Sequence, residues 1–119
     1  MIRDGRVPTI YGDGLQTRDF SYVDNAIEGV MKAAVAPDAP GGVYNIANGS
    51  RISLLDLVAR INEFFGKSIV PTLSAPRPGD ILHSFGDIEA ARRDLGYTAA
   101  VNFGDGLNRT AQWYTEAGQ

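Results

Sequence analysis

The chain has no cysteine, one histidine, one tryptophan and no apolar run approaching the roughly 18 residues that a membrane-spanning helix needs. The missing cysteines exclude disulfides and thiolate metal sites and fit an intracellular protein. The lone histidine, His83, has no second metal ligand or nucleophile at motif spacing, so a packed or surface role is expected for it and not a catalytic one. Positive charge is also scarce: 11 Lys and Arg stand against 14 Asp and Glu, a net charge of -3. Nothing forms a basic stripe able to neutralise several phosphates, which argues against a general nucleic-acid surface. The start Met1-Ile2-Arg3-Asp4 lacks the apolar core of a signal peptide, and the expected location is the cytoplasm, with no membrane contact.

What is present is ordinary globular material. With 119 residues, 44% hydrophobic and 21% charged, the chain reads as one compact domain over residues 1–119, without repeats or low-complexity tracts. Pro8 to Tyr11 reads as a short strand leading into a Gly12/Gly14 turn. A helix starts at Asp24 or a neighbour, because Val23, Ala26, Ile27, Val30, Met31 and Ala34 recur near helical spacing, and Pro37, Pro40 and two glycines stop it. Val43 to Ala47 is the next strand. Ser53 with Asp56 resembles a capping box, and Leu54, Leu57, Val58, Ile61, Phe64 and Phe65 line a helix that stops at Gly66. Ile69 to Leu73 reads as an edge strand because it contains Pro71. Asp87 caps a helix through Leu95 with Gly96 as its stop, and Gly104 to Glu116 is the last helix, with Trp113 and Tyr114 as packing residues. The expected fold class is therefore α/β, a small mixed strand-helix domain in the order β, α, β, α, β, α, α.

Two turn-rich stretches carry the chemistry. Arg77-Pro78-Gly79-Asp80 and Gly12-Asp13-Gly14-Leu15-Gln16-Thr17-Arg18-Asp19-Phe20 together hold two arginines and a carboxylate. A guanidinium offers planar paired donors and keeps its charge at any working pH, so arginines on separate loops suit a diphosphate, and a nearby carboxylate suits ribose hydroxyls. Taken bare, such arginines also read as surface charges or structural pairs, Arg18 with Asp19 or Asp24.

The run from Pro8 through Asp24, then Val43-Tyr44-Asn45-Ile46, Arg77-Pro78-Gly79-Asp80, Leu95-Gly96-Tyr97 and Gly106-Leu107 with Trp113-Tyr114, resembles the carboxyl-terminal part of NAD-dependent nucleotide-sugar epimerases of the extended short-chain dehydrogenase/reductase family. The likeness is nearest to UDP-glucose and UDP-N-acetylglucosamine 4-epimerases. It implies a substrate domain without the amino-terminal Rossmann half, truncated relative to the family. It further implies that Arg18 and Arg77 contact the diphosphate of a UDP-sugar and that Asp80 holds the ribose. Thr9 and Tyr11 would sit on the strand beside the uracil, although Tyr11 also reads as a core aromatic. Ser84 would be the gate residue facing the sugar's C2 substituent, its small size suiting N-acetyl forms, or else an ordinary polar residue at a loop end.

The same resemblance marks what these residues do not supply. The family's dinucleotide site needs a Gly-rich turn leading from a strand into a helix, and no such turn is found. Its catalytic pair is a Tyr followed four residues later by Lys, and none of the tyrosines at 11, 22, 44, 97 and 114 has that partner. No catalytic or cofactor-binding residue is therefore assigned, and NAD belongs to the complete family enzyme. In relatives the strand matching Val43 to Ile46 joins the dinucleotide-binding sheet and the helix near Asp24 covers a face of that domain. A homo-oligomer, or a separate Rossmann half, is expected to cover those surfaces. The competing readings are part of a sugar-nucleotide dehydratase or decarboxylase, and a non-catalytic association module.

Overall fold

The computed structural model describes residues 1–117. Among them, after a 3-10 turn at Ile2–Asp4, come β1 (Thr9–Tyr11), β2 (Thr17–Arg18), α1 (Val23–Val35), β3 (Ile52–Ser53), α2 (Leu54–Phe65), β4 (Thr72–Ser74), α3 (Glu89–Leu95) and α4 (Phe103–Glu116). The small mixed α/β class expected from the sequence is what the chain adopts. β1 and β4 pair in parallel with Ile10 opposite Leu73, and β2 and β3 pair antiparallel with Arg18 opposite Ile52.

Local chemistry sets the helix ends within a residue or two of where the sequence placed them, the expected cap Asp87 giving way to Ile88 and the expected start Gly104 to Phe103. The Ser53 hydroxyl accepts from the Asp56 backbone N–H at 3.0 Å and donates to the Asp56 carboxylate at 2.7 Å, closing the first turn of α2. Gly66 ends that helix at φ 60°, and Gly96 ends α3 at φ 62°. Asp87 stands one residue before the cap position of α3, where its carboxylate accepts from Glu89 N–H at 2.9 Å. Asn102 caps α4 through the Asp105 N–H at 3.0 Å.

Two small cores hold these elements together. Ile2, Ile10 and Val58 are buried together, with Leu54, Leu55, Ile61 and Ile69 packed around them, which fastens α2 beneath β1. Ile88, Ala91, Leu95 and Tyr97 form the second core against Ala33, Ala36, Tyr44, Ile46 and Ala47. Burying one such aliphatic side chain is worth about 1.5–3 kcal/mol. The fully buried Asn25 links α1 to the segment before α4, its amide donating to the Val101 carbonyl at 2.7 Å and accepting from the Val101 N–H at 3.0 Å.

The shape departs from the compact domain that composition suggests. The radius of gyration is 16.8 Å and the extents are 49 × 37 × 18 Å, against about 13.5 Å for a compact chain of this length. Two cores in a flat slab leave each element exposed on one side. The apolar stripe of α1 is the clearest case: Val23, Ile27, Val30 and Met31 are each more than half exposed, while Asn25 and Gly29 face inward. Gly29 permits this approach, since a Cβ there would lie 2.7 Å from the Ile46 side chain.

Several elements differ from the sequence reading. Val43 to Ala47 is not a strand: among the described residues it makes no backbone–backbone hydrogen bond, and Val43 is 92% exposed. β-propensity without a neighbouring strand leaves such a segment an unpaired extended run. The strand expected at Ile69 to Leu73 is shifted to Thr72–Ser74, beyond Pro71, and is exposed throughout, as an edge strand would be. β2 and β3 are too short to show alternation, and the sequence reading omitted them. Trp113 and Tyr114 are each 61% exposed and meet edge to face, because α4 turns its small residues Gly106 and Ala111 inward.

Candidate functional site

The two chemistry-bearing loops converge. β1 ends at Tyr11, and the chain then turns through Gly12 (φ 92°) and Gly14 (φ 80°) into β2. At the second glycine a Cβ would sit 2.7 Å from Leu55, so the turn packs directly on α2. The buried Gln16 amide nitrogen donates to the Tyr11 carbonyl at 2.6 Å and locks the turn, while its own Oε1 is buried without a partner among the described residues.

The second loop leaves β4 at Ser74 and returns along β2. Its start is held by the Gly12 N–H donating to the Ser74 carbonyl at 2.9 Å. Its end is held by Thr17 N–H to the Leu82 carbonyl at 2.8 Å and Ser84 N–H to the Thr17 carbonyl at 3.0 Å. His83 supports the same junction, its Nδ1 lying 3.0 Å from the Thr17 hydroxyl. Between these anchors Arg77-Pro78-Gly79-Asp80 forms a tight turn, with Asp80 N–H donating to the Arg77 carbonyl at 3.2 Å and Gly79 at φ 78°. Pro second and a left-handed Gly third are the residues a type II turn requires.

Arg18 donates to Asp80 Oδ1 at 3.0 Å and to the Thr17 carbonyl at 2.9 Å, so its partner across the loops is Asp80 and not Asp19 or Asp24. The Arg77 guanidinium carbon lies 3.8 Å from the centroid of the Tyr11 ring. Tyr11 is 39% exposed, so it is a surface platform and not a core aromatic. Thr9 shares the exposed face of β1 two residues earlier, and Ser84 is exposed and, among the described residues, attached through its backbone alone. Tyr11, Arg18, Arg77 and Asp80 are thus tied pairwise across three segments. Thr9 makes no side-chain hydrogen bond to them among the described residues.

Asp19, considered from sequence only as a partner for Arg18, has a different role. Its carboxylate accepts from Asn48 N–H at 2.9 Å, Gly49 N–H at 3.0 Å and Gly86 N–H at 3.4 Å, joining three loops directly behind Arg18. Between Arg18 and Phe20 it carries no local signal of this role, because its donors are backbone groups far along the chain.

Other features do not compete with this cluster. An apolar cleft of about 540 Å³ between α1, α2 and α4 is lined by Phe20, Leu57, Phe103, Leu107 and Trp113 and lacks convergent charge. Among the described residues no group of His, Cys, Asp or Glu is arranged to hold a metal, and no helix is long and apolar enough to cross a membrane. Of the two glycine-rich stretches, the Gly12/Gly14 turn passes from strand to strand, and Gly41-Gly42 enters the unpaired run. Neither aims a helix N-terminus at a phosphate.

On comparison with known proteins, this small mixed α/β domain corresponds to the carboxyl-terminal part of extended short-chain dehydrogenase/reductases. Residues 1–47 match the NAD dependent epimerase/dehydratase family. The chain is similar to the Thermotoga maritima UDP-glucose 4-epimerase, solved with UDP-glucose, at a TM-score of 0.90 and 28% identity over 98% of this chain and 37% of that one. It is 30% identical to a UDP-glucose 4-epimerase of Mycolicibacterium smegmatis (97% of this chain, 36% of the relative). It is 32% identical to a dTDP-glucose 4,6-dehydratase of Streptomyces griseus (96% and 35%). The chain belongs to the NAD-dependent epimerase/dehydratase family of extended short-chain dehydrogenase/reductases. It spans about a third of the length of the curated relatives it matches.

Proposed function

We propose that this chain binds a nucleotide diphosphate sugar, a UDP-hexose or UDP-N-acetylhexosamine, as the substrate-binding part of an NAD-dependent 4-epimerase. The observation that carries the reading is the convergence of Arg18, Arg77 and Asp80 on one face, with Arg77 lacking a carboxylate partner among the described residues. In this reading the two guanidinium groups donate to the diphosphate. Asp80 exchanges Arg18 for the ribose hydroxyls as Arg18 turns to phosphate. Ser84, exposed beyond the turn, leaves room for an N-acetyl group, and Thr9 and Tyr11 border the base. These residues bind and orient, and the proton and hydride chemistry lies with residues other than these.

The exposed stripe of α1 and the unpaired run at 43–47 support a second part of the proposal, that further protein covers them, either a Rossmann half or another copy. A monodisperse monomer in sedimentation counts against a second copy. The identity shared with a dTDP-glucose dehydratase favours, as the alternative, the same binding role in a sugar-nucleotide dehydratase.

Calorimetric titration with UDP-N-acetylglucosamine, UDP and NAD tests the reading. UDP compounds are expected to bind the parent chain and to bind Arg77→Ala about 10- to 100-fold more weakly, with no heat from NAD. Silence towards every UDP compound, or binding untouched by Arg77→Ala, sinks it.

A further inference from the structure

The two arginines of the cluster are held differently, and the difference singles out Tyr11. Arg18 spends its donors on Asp80 and the Thr17 carbonyl. The Arg77 side chain makes no hydrogen bond or ion pair among the described residues; what it has is the Tyr11 ring, 3.8 Å from its guanidinium carbon. A stack on the π face uses the flat side of a guanidinium and leaves its in-plane N–H donors free for an anion. The platform is itself fixed. Tyr11 closes β1 opposite Ser74, the Gln16 amide holds its carbonyl at 2.6 Å, and the buried Ile10 beside it turns the ring to the outer face. Arg77 lies three residues beyond Ser74, so the β1–β4 register delivers it to the ring.

We infer that Tyr11 is a positioning residue that holds Arg77 by cation–π stacking with its donors presented to an incoming diphosphate. The inference rests on the nucleotide-sugar reading for its ligand and on the stack for its geometry, and the two are tested separately. Without ligand, proton NMR of the chain is expected to show the Arg77 side-chain resonances shifted upfield by the Tyr11 ring current. The shift is retained in Tyr11→Phe and lost in Tyr11→Leu. Its absence from the parent chain overturns the inference whatever the ligand does.

With UDP as the probe, Tyr11→Phe is expected to bind within about twofold of the parent and Tyr11→Leu about 2- to 5-fold more weakly, the range of an exposed cation–π contact. In an Arg77→Ala background the Tyr11→Leu loss disappears. Stepwise fluorination of a phenylalanine placed at position 11 weakens UDP binding progressively, because fluorine drains the ring face while barely changing its shape. A flat response there, or an equal Tyr11→Leu loss with and without Arg77, reduces Tyr11 to a structural role and overturns the inference. If the parent chain fails to bind UDP, the proposed function falls, and the ring-current shift alone decides whether Tyr11 holds Arg77.

Discussion

Replacing Asn25 by alanine tests how this slab is joined. The side chain is fully buried and makes a reciprocal pair with the Val101 backbone at 2.7 and 3.0 Å, and Val101 itself is buried. Truncation therefore strands one N–H and one C=O in a dry site. Each stranded group costs about 1–3 kcal/mol, so the loss should be about 2–6 kcal/mol. A domain of this length commands about 6–18 kcal/mol in total. The variant should thus lose a large share of its stability, and α1 should part from the segment that leads into α4. Urea unfolding followed by far-ultraviolet circular dichroism gives the number directly, with the slope against urea as a control on the unfolded state. Asn25→Asp, which keeps the acceptor for the Val101 N–H but sets a carboxylate oxygen against the Val101 carbonyl, should also be destabilised. A loss below about 1 kcal/mol in Asn25→Ala at unchanged slope would refute the reasoning, because it would mean that the Val101 groups find other partners at little cost.

Gly29→Ala should destabilise by about 1–3 kcal/mol through overpacking against Ile46, with Ile46→Val in the same chain recovering part of it; equal melting curves for Gly29→Ala and parent would contradict this. Asp19→Ala removes the acceptor shared by Asn48, Gly49 and Gly86, and should lower stability by about 1–3 kcal/mol and weaken UDP binding; chemical denaturation and titration measure both, and Asp19→Asn should recover part. Burial raises the Tyr97 phenol above the usual tyrosine range, helped by the Glu28 and Asp19 carboxylates. Because the folded state holds that proton more tightly, its contribution is full below about pH 10 and is lost as pH rises through the folded pKa. Alkaline unfolding should therefore be less steep in pH for Tyr97→Phe, which also loses the hydroxyl's 2.8 Å bond to the Ala47 carbonyl.

Local signals were legible wherever the physics is local. Ser53 before Leu54, Gly66 after Phe65 and Gly96 after Leu95 mark helix ends because caps and left-handed glycines act within one turn. Pro78-Gly79 likewise announced the turn that carries Arg77 and Asp80, and the order of motifs announced the family. Tertiary structure decided the rest. Periodicity located the apolar face of α1 but could not say that Gly29 and Asn25, and not Val30, would meet the core, because a moment fixes a direction and not a neighbour. Val43 to Ala47 has strand propensity but no ladder partner, and pairing is a property of two segments. The Arg18–Asp80 pair spans 62 positions and the Arg77–Tyr11 stack depends on the β1–β4 register, so both came into being only when distant strands aligned.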